Sequence, residues 1–106
     1  MPIVTLESLH VRELFPGLRA RVVHTDRTSQ SWVDIDAGAT FPEHRHPHEQ
    51  TVNVLDGTLE LIVDGQSHML TPGSVFVIPP DAAHSGRAHS ACRVLDVFAP
   101  VRDDYR

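Results

Sequence analysis

The stretch Gly38-Ala-Thr-Phe-Pro-Glu-His-Arg-His-Pro-His-Glu-Gln-Thr-Val-Asn-Val-Leu-Asp-Gly57 decides how the chain is read. It brings His44 and His46 two residues apart within a run, Thr40 to His46, that reads as a strand. On a strand, residues i and i+2 point to one face, so both imidazoles can reach a single metal ion. Pro47 interrupts the run, and Gln50 follows four residues after His46. Far downstream, His84 closes a Pro-rich turn, Ile78-Pro-Pro-Asp-Ala-Ala-His84. Three imidazoles and one oxygen donor form a ligand set that Zn, Ni, Mn and Fe all accept.

Working outward, turns punctuate the rest of the chain. Gly57, Gly65 and Gly73 stand eight residues apart, in Asp56-Gly57, Asp64-Gly65 and Pro72-Gly73. Asp-Gly between apolar runs is a hairpin signal, because a type I′ turn needs positive φ. The runs Thr51–Leu55, Thr58–Val63, Gln66–Leu70 and Ser74–Ile78 are short and mostly rich in Val, Ile, Leu or Thr, as strands are. Leu18–Thr25 and Ser31–Ile35 read as earlier strands, with polar Asp26–Gln30 as the turn between them. Cys92–Ala99 reads as a late strand, stopped by Pro100. Glu7–Phe15 is expected to form a short helix ended by Pro16-Gly17. The fold class is therefore all-β, an antiparallel sandwich or barrel.

A chain of 106 residues is expected to form one domain, 1–106. Its hydrophobic content of 41 % and charged content of 22 % suit an ordinary globular protein. The net charge of −5, with basic residues scattered, argues against nucleic acid and anionic membranes as partners. Cys92 is the one cysteine, so no internal disulfide forms. The first residues carry neither a basic segment nor a long apolar one, and a cytoplasmic location is expected. Eight histidines are the compositional oddity, and three fall within five residues.

The spacing of Gly38, His44, His46, Gln50 and Gly57, followed by Gly73, Pro79 and His84, resembles the two motifs of the cupins. Three positions depart from that pattern: Gln50 stands where Glu is usual, Asp81 where Gly is usual, and Ala88 where Asn is usual. The resemblance covers about residues 30–100 and implies a double-stranded β-helix, or jelly-roll barrel, with one divalent metal in its mouth. The implied ligands are His44, His46, Gln50 and His84. Glu49 competes with Gln50 by one residue of register, although the Gly-to-Gly spacing favours Gln50. A homodimer, with N-terminal strands exchanged or packed between barrels, is implied as well.

The ending Leu95-Asp-Val-Phe-Ala-Pro-Val-Arg-Asp-Asp-Tyr105 is similar to the tail of the pectin-degradation (KdgF-type) cupins. That resemblance implies ring opening or isomerisation of 4,5-unsaturated uronates, small carboxylate or sugar-acid substrates. Asp96 would move a proton, Arg102 would grip the carboxylate with its two-pronged guanidinium, and Phe98 would form an aromatic wall. Type alone places Phe98 in the core, Asp96 on an outward face or in a structural pair, and Arg102 with Asp103 or Asp104 in a solvated tail. His48 is expected to point away or to back a ligand. His10, His24, His68 and His89 read as surface histidines, and Trp32 as a core residue. Two rival functions are a metal-dependent dioxygenase and a non-enzymatic ligand-binding cupin. The neutral Gln50 fits poorly with the two-His-one-carboxylate iron site of many oxygenases.

Overall fold

The computed structural model describes residues 1–106. Ten strands account for the regular structure: β1 (Arg12–Phe15), β2 (Leu18–His24), β3 (Ser29–Ile35), β4 (Thr40–His44), β5 (Glu49–Asp56), β6 (Leu59–Val63), β7 (Gln66–Leu70), β8 (Val75–Ile78), β9 (His84–Ala88) and β10 (Cys92–Ala99). They form a six-stranded sheet, β1-β2-β3-β10-β5-β8, and a four-stranded sheet, β4-β9-β6-β7. Every pairing is antiparallel. This is the jelly-roll arrangement expected of a cupin, two sheets closing over one core.

Period-2 patterning builds that core. Along β3, Ser29, Ser31, Val33 and Ile35 face in while Gln30, Trp32 and Asp34 face out. Along β10, Cys92, Val94 and Phe98 are buried while Arg93 is exposed. The inner faces meet in a cluster that includes Leu59, Leu61, Val52, Val54 and Ile78. Trp32 therefore lies on the outer face, half-exposed, and not in the core.

Several expected boundaries shift. The expected helix at Glu7–Phe15 is instead one 3-10 turn, Leu6–Ser8, followed by strand β1. Arg12 pairs with Ala20 and Phe15 with Leu18 across Gly17, so a hairpin partner overrides a weak helical tendency. Ser29 and Gln30 belong to β3, which shortens the preceding turn. The strand carrying His44 ends there, and His46 lies just beyond it. The element absent from the sequence reading is β9, His84–Ala88.

Of the three glycine turns, only Asp64-Gly65 closes a hairpin. Val63 pairs with Gln66, and Asp64 and Gly65 both have positive φ (48° and 80°), as a type I′ turn requires. Asp56-Gly57 and Pro72-Gly73 carry the chain from one sheet to the other, since β5 and β8 lie in one sheet and β6 and β7 in the other. Replacing Gly57 is costly: its φ is +83°, and a Cβ there would strike the carbonyl oxygen of Ala91.

Candidate metal centre

Both sheets contribute to one cluster at the barrel mouth. From the four-stranded sheet, His44 on β4 and His84 on β9 are direct cross-strand partners. His46 follows β4 in a segment tied to the β8–β9 turn, where the Asp81 N–H donates to the His46 carbonyl at 2.8 Å. From the six-stranded sheet, Gln50 on β5 sits opposite Phe98 on β10, with Asp96 two residues along the same inward face. The i, i+2 argument for His44 and His46 holds in effect though not in cause. A loop, not a regular strand, carries His46 to the site.

The ligand atoms of His44, His46 and His84 lie within 4.8 Å of one another. Ring centroids are 4.3 Å apart for His44–His84, 5.0 Å for His46–His84 and 5.8 Å for His44–His46. Nδ1 of His44 lies 3.0 Å from the Pro42 carbonyl, and Nδ1 of His84 lies 2.9 Å from the Ala82 carbonyl. A carbonyl only accepts, so both Nδ1 atoms carry the proton and both Nε2 atoms keep a lone pair for a metal. Backbone carbonyls in this role also orient metal-bound imidazoles. His46 Nε2 lies 3.0 Å from Gln50 Oε1, so the amide oxygen joins the same cluster. Glu49, the alternative, is exposed on the outer side of β5.

Burial keeps the His46 and His84 imidazoles in the form that ligates. Burial, followed by the nearby Arg102 charge, pushes His46 down to about 4. Burial also lowers His84. Both imidazoles thus stay neutral near pH 7, the form that ligates. The three-histidine group could hold a metal, and the Gln50 amide oxygen lies beside it.

Asp96 lines the same cavity as His44, His84 and Gln50. Its residue is half-buried, but its Oδ1 is sealed from solvent and has no hydrogen-bond partner. Burial pushes its carboxyl up to about 7, while the Gln50 amide and the Arg102 charge pull the other way. Phe98 is 2 % exposed and lines the same cavity, so core and cavity wall are one role. Arg102 is 6 % exposed and also lines the cavity. It is paired with Asp104 but is not a solvated tail residue.

Tyr105 and Ser31 were not singled out in the sequence. Tyr105 lines the cavity. His48, expected to point away or to back a ligand, packs its ring 5.4 Å from His46 and 6.4 Å from Phe98. Ser31 is 1 % exposed, cross-strand from Asp96, and its Oγ has no partner. Inward position on β3 was the available signal for Ser31. For Tyr105 there was none beyond its place in the tail.

The Cupin domain model matches residues 31–98. The chain is 26 % identical over 96 residues to the pectin degradation protein KdgF of Dickeya dadantii, covering 88 % of this chain and 87 % of that one. It is 32 % identical over 96 residues to quercetin 2,3-dioxygenase of Bacillus subtilis, covering 85 % of this chain. It is 33 % identical over 70 residues, 62 % of its length, to the uncharacterized HTH-type regulator YobQ of Bacillus subtilis. The chain spans only 28 % of the dioxygenase and 29 % of the regulator. Among solved structures, KdgF from Halomonas sp. superposes with a TM-score of 0.91 at 28 % identity, over 100 % of this chain and 99 % of that one. With its sheet topology, its histidine cluster and a family match over most of its length, the chain belongs to the cupin family.

Proposed function

We propose that this cupin is an enzyme that opens the ring of a small unsaturated sugar acid, a 4,5-unsaturated uronate. One observation carries the reading: a buried carboxyl with an unpartnered oxygen, Asp96, lies beside a three-histidine group and within the field of a buried arginine. Near-complete alignment with a pectin degradation protein supports the substrate class.

A divalent transition metal would be held by His44, His46, His84 and Gln50 and would supply Lewis acidity toward a substrate oxygen. The protein's own groups do the rest. Arg102 binds the substrate carboxylate. Asp96, titrating at about 7, both takes and returns a proton at neutral pH. It accepts the proton of the anomeric hydroxyl as the bond from C1 to the ring oxygen breaks and C1 becomes an aldehyde. The released enol electrons take up that proton at C4, and C5 becomes a ketone. No water is consumed and no redox change occurs, so the step is an isomerisation. Phe98 shields the proton from bulk water.

We read the outer face of the six-stranded sheet as a homodimer surface. It carries exposed Val75, Val77 and Leu55 beside half-exposed Trp32, Leu95 and Val97. Gel filtration with light scattering tests that point.

The functional test is an ultraviolet time course with metal-quantified protein and 4,5-unsaturated galacturonate, following loss of the conjugated absorbance. Loss faster than the protein-free blank, abolished by His84→Ala, is expected. Loss at the blank rate with metal bound removes the ring-opening reading. Oxygen consumption is the next assay in that case, because a dioxygenase relative aligns over 85 % of the chain.

A further inference from the structure

We propose that Tyr105 is a specificity-determining positioning residue: its ring fixes the Arg102 guanidinium in the plane from which it grips a carboxylate ligand. The proposal rests on reading Arg102 as the carboxylate anchor, and it adds how the C-terminal turn makes Arg102 fit for that task. The guanidinium carbon lies 3.9 Å above the centre of the Tyr105 ring and 4.8 Å from that of Phe98. The two rings meet edge to face, 5.8 Å apart at 88°. Arginine stacks on such faces, and stacking fixes the orientation of its planar fork.

The turn that carries Tyr105 is tied to the barrel through a closed circuit of hydrogen bonds. His24 Nε2–H donates to the Tyr105 carbonyl at 3.3 Å. Because that nitrogen holds the proton, His24 Nδ1 accepts from the Ser29 hydroxyl at 2.7 Å. The Arg102 N–H donates to the same Ser29 oxygen at 2.8 Å, and the Tyr105 N–H donates to the Arg102 carbonyl at 3.1 Å. Ser29 is completely buried, so the anchor is rigid. His24 is thus a structural tether and not a free surface histidine.

Asp104 completes the arrangement. It takes Nε at 3.0 Å and Nη2 at 2.6 Å, one edge of the guanidinium. Arg102 and Tyr105 line the cavity and Asp104 does not, so Asp104 occupies the outward edge. A guanidinium has five N–H donors. Asp104 uses two, and the remaining three, on Nη1 and Nη2, form a second fork available to a ligand carboxylate. The metal-binding residues select oxygen atoms in general. The tail selects an acid.

The test is calorimetric binding of galacturonate to the metal-loaded protein, with galactose as the neutral control. Tyr105→Leu is expected to weaken galacturonate binding roughly tenfold, a loss typical of a desolvated stacking contact. Tyr105→Phe keeps the ring and is expected to bind like the parent, and galactose binding is expected to stay the same in all variants. In an Arg102→Lys background, Tyr105→Leu is expected to add nothing, because the tyrosine acts through the arginine. Tyr105→Met, which keeps volume without a ring, replaces Tyr105→Leu if thermal melting shows the latter unfolded. Parent-like galacturonate binding by the ring-less variant overturns the proposal. So does an equal loss of galactose, or a parent protein that does not prefer galacturonate to galactose. A clear carboxylate preference without ring opening overturns only the proposed reaction and leaves the role of Tyr105 standing.

Discussion

Replacing Asp96 with Asn should make the metal-free protein more stable at pH 8 while slowing the proposed ring opening once metal is bound. The carboxyl titrates at 3.8 in an ordinary setting and at about 7 in this fold, because burial disfavours its charge. The folded state therefore holds the proton more tightly than the unfolded state. The sign follows: this group costs nothing below pH 3.8, and its cost grows as pH rises through 7. Raising the carboxyl from 3.8 to about 7, at ~1.36 kcal/mol per tenfold change in proton affinity, gives a full cost of about 4 kcal/mol at pH 8. At pH 5 only about 1.6 kcal/mol of it has developed, so about 2.5 kcal/mol separates the two conditions. Asn removes the charge but leaves an imperfectly paired amide, which costs about 1–3 kcal/mol at any pH. The assay is urea unfolding of parent and Asp96→Asn proteins in chelator at pH 5 and pH 8. Other titrating groups cancel in the difference between the two proteins. The variant should gain about 2.5 kcal/mol relative to the parent on going from pH 5 to pH 8. A difference that does not change with pH refutes the burial argument for Asp96. Turnover in the metal-loaded variant should fall by about 10²–10⁴-fold, the usual contribution of a positioned acid–base group.

His46 gives the opposite pH dependence. Its folded value of about 4 lies below the ordinary 6.5, so its contribution is complete above pH 6.5 and is lost as pH falls toward 4. The metal-free His46→Gln variant should lose less stability between pH 7 and pH 4.5 than the parent does, by about 2–3 kcal/mol in urea titrations. His84→Ala should lower zinc or nickel affinity by about 100-fold or more in a competition titration, since even outer-shell changes cost about 10–100-fold. Gly57→Ala should destabilise by about 2 kcal/mol or more in chemical denaturation, through positive φ and collision with the Ala91 carbonyl. Gly65→Ala has the same sign of φ but open space around it, and should cost only about 1 kcal/mol.

The site was legible where local chemistry and global position agree. His44, His46, Gln50 and His84 stood at readable spacings, and alternation along one strand put Asp96 and Phe98 on a shared face without saying which side of the sheet it looks to. Turn chemistry was legible only in part. Asp56-Gly57 and Pro72-Gly73 report a positive-φ glycine, and the structure has one at each. A positive φ says that the chain bends, not which strand pairs with which, so two sheet-to-sheet crossings read as hairpins. Strand β9, with the sequence His-Ser-Gly-Arg-Ala, has little intrinsic strand preference. It is a strand because β4 and β6 pair with it on both sides, and because Gly86 leaves room for the Phe41 ring, which a Cβ would strike. The tail was opaque for a related reason. Its anchors, His24 and Ser29, lie more than seventy residues away in sequence.

Gln50 shows why one departure from the family pattern belongs with the rest of the site. Its Oε1 faces His46, where a metal ligand must present a lone pair, and its amide lies beside the Asp96 carboxyl. An amide meets both demands, accepting on one side and donating on the other. A carboxylate at position 50 could accept on the metal side, but it would set a second negative charge against Asp96. Like charges in one buried site raise the pKa of one of the two. Asp96 would then no longer exchange a proton readily at neutral pH. The neutral residue at position 50 weakens the electrostatic hold on a cation and in return leaves Asp96 poised near 7.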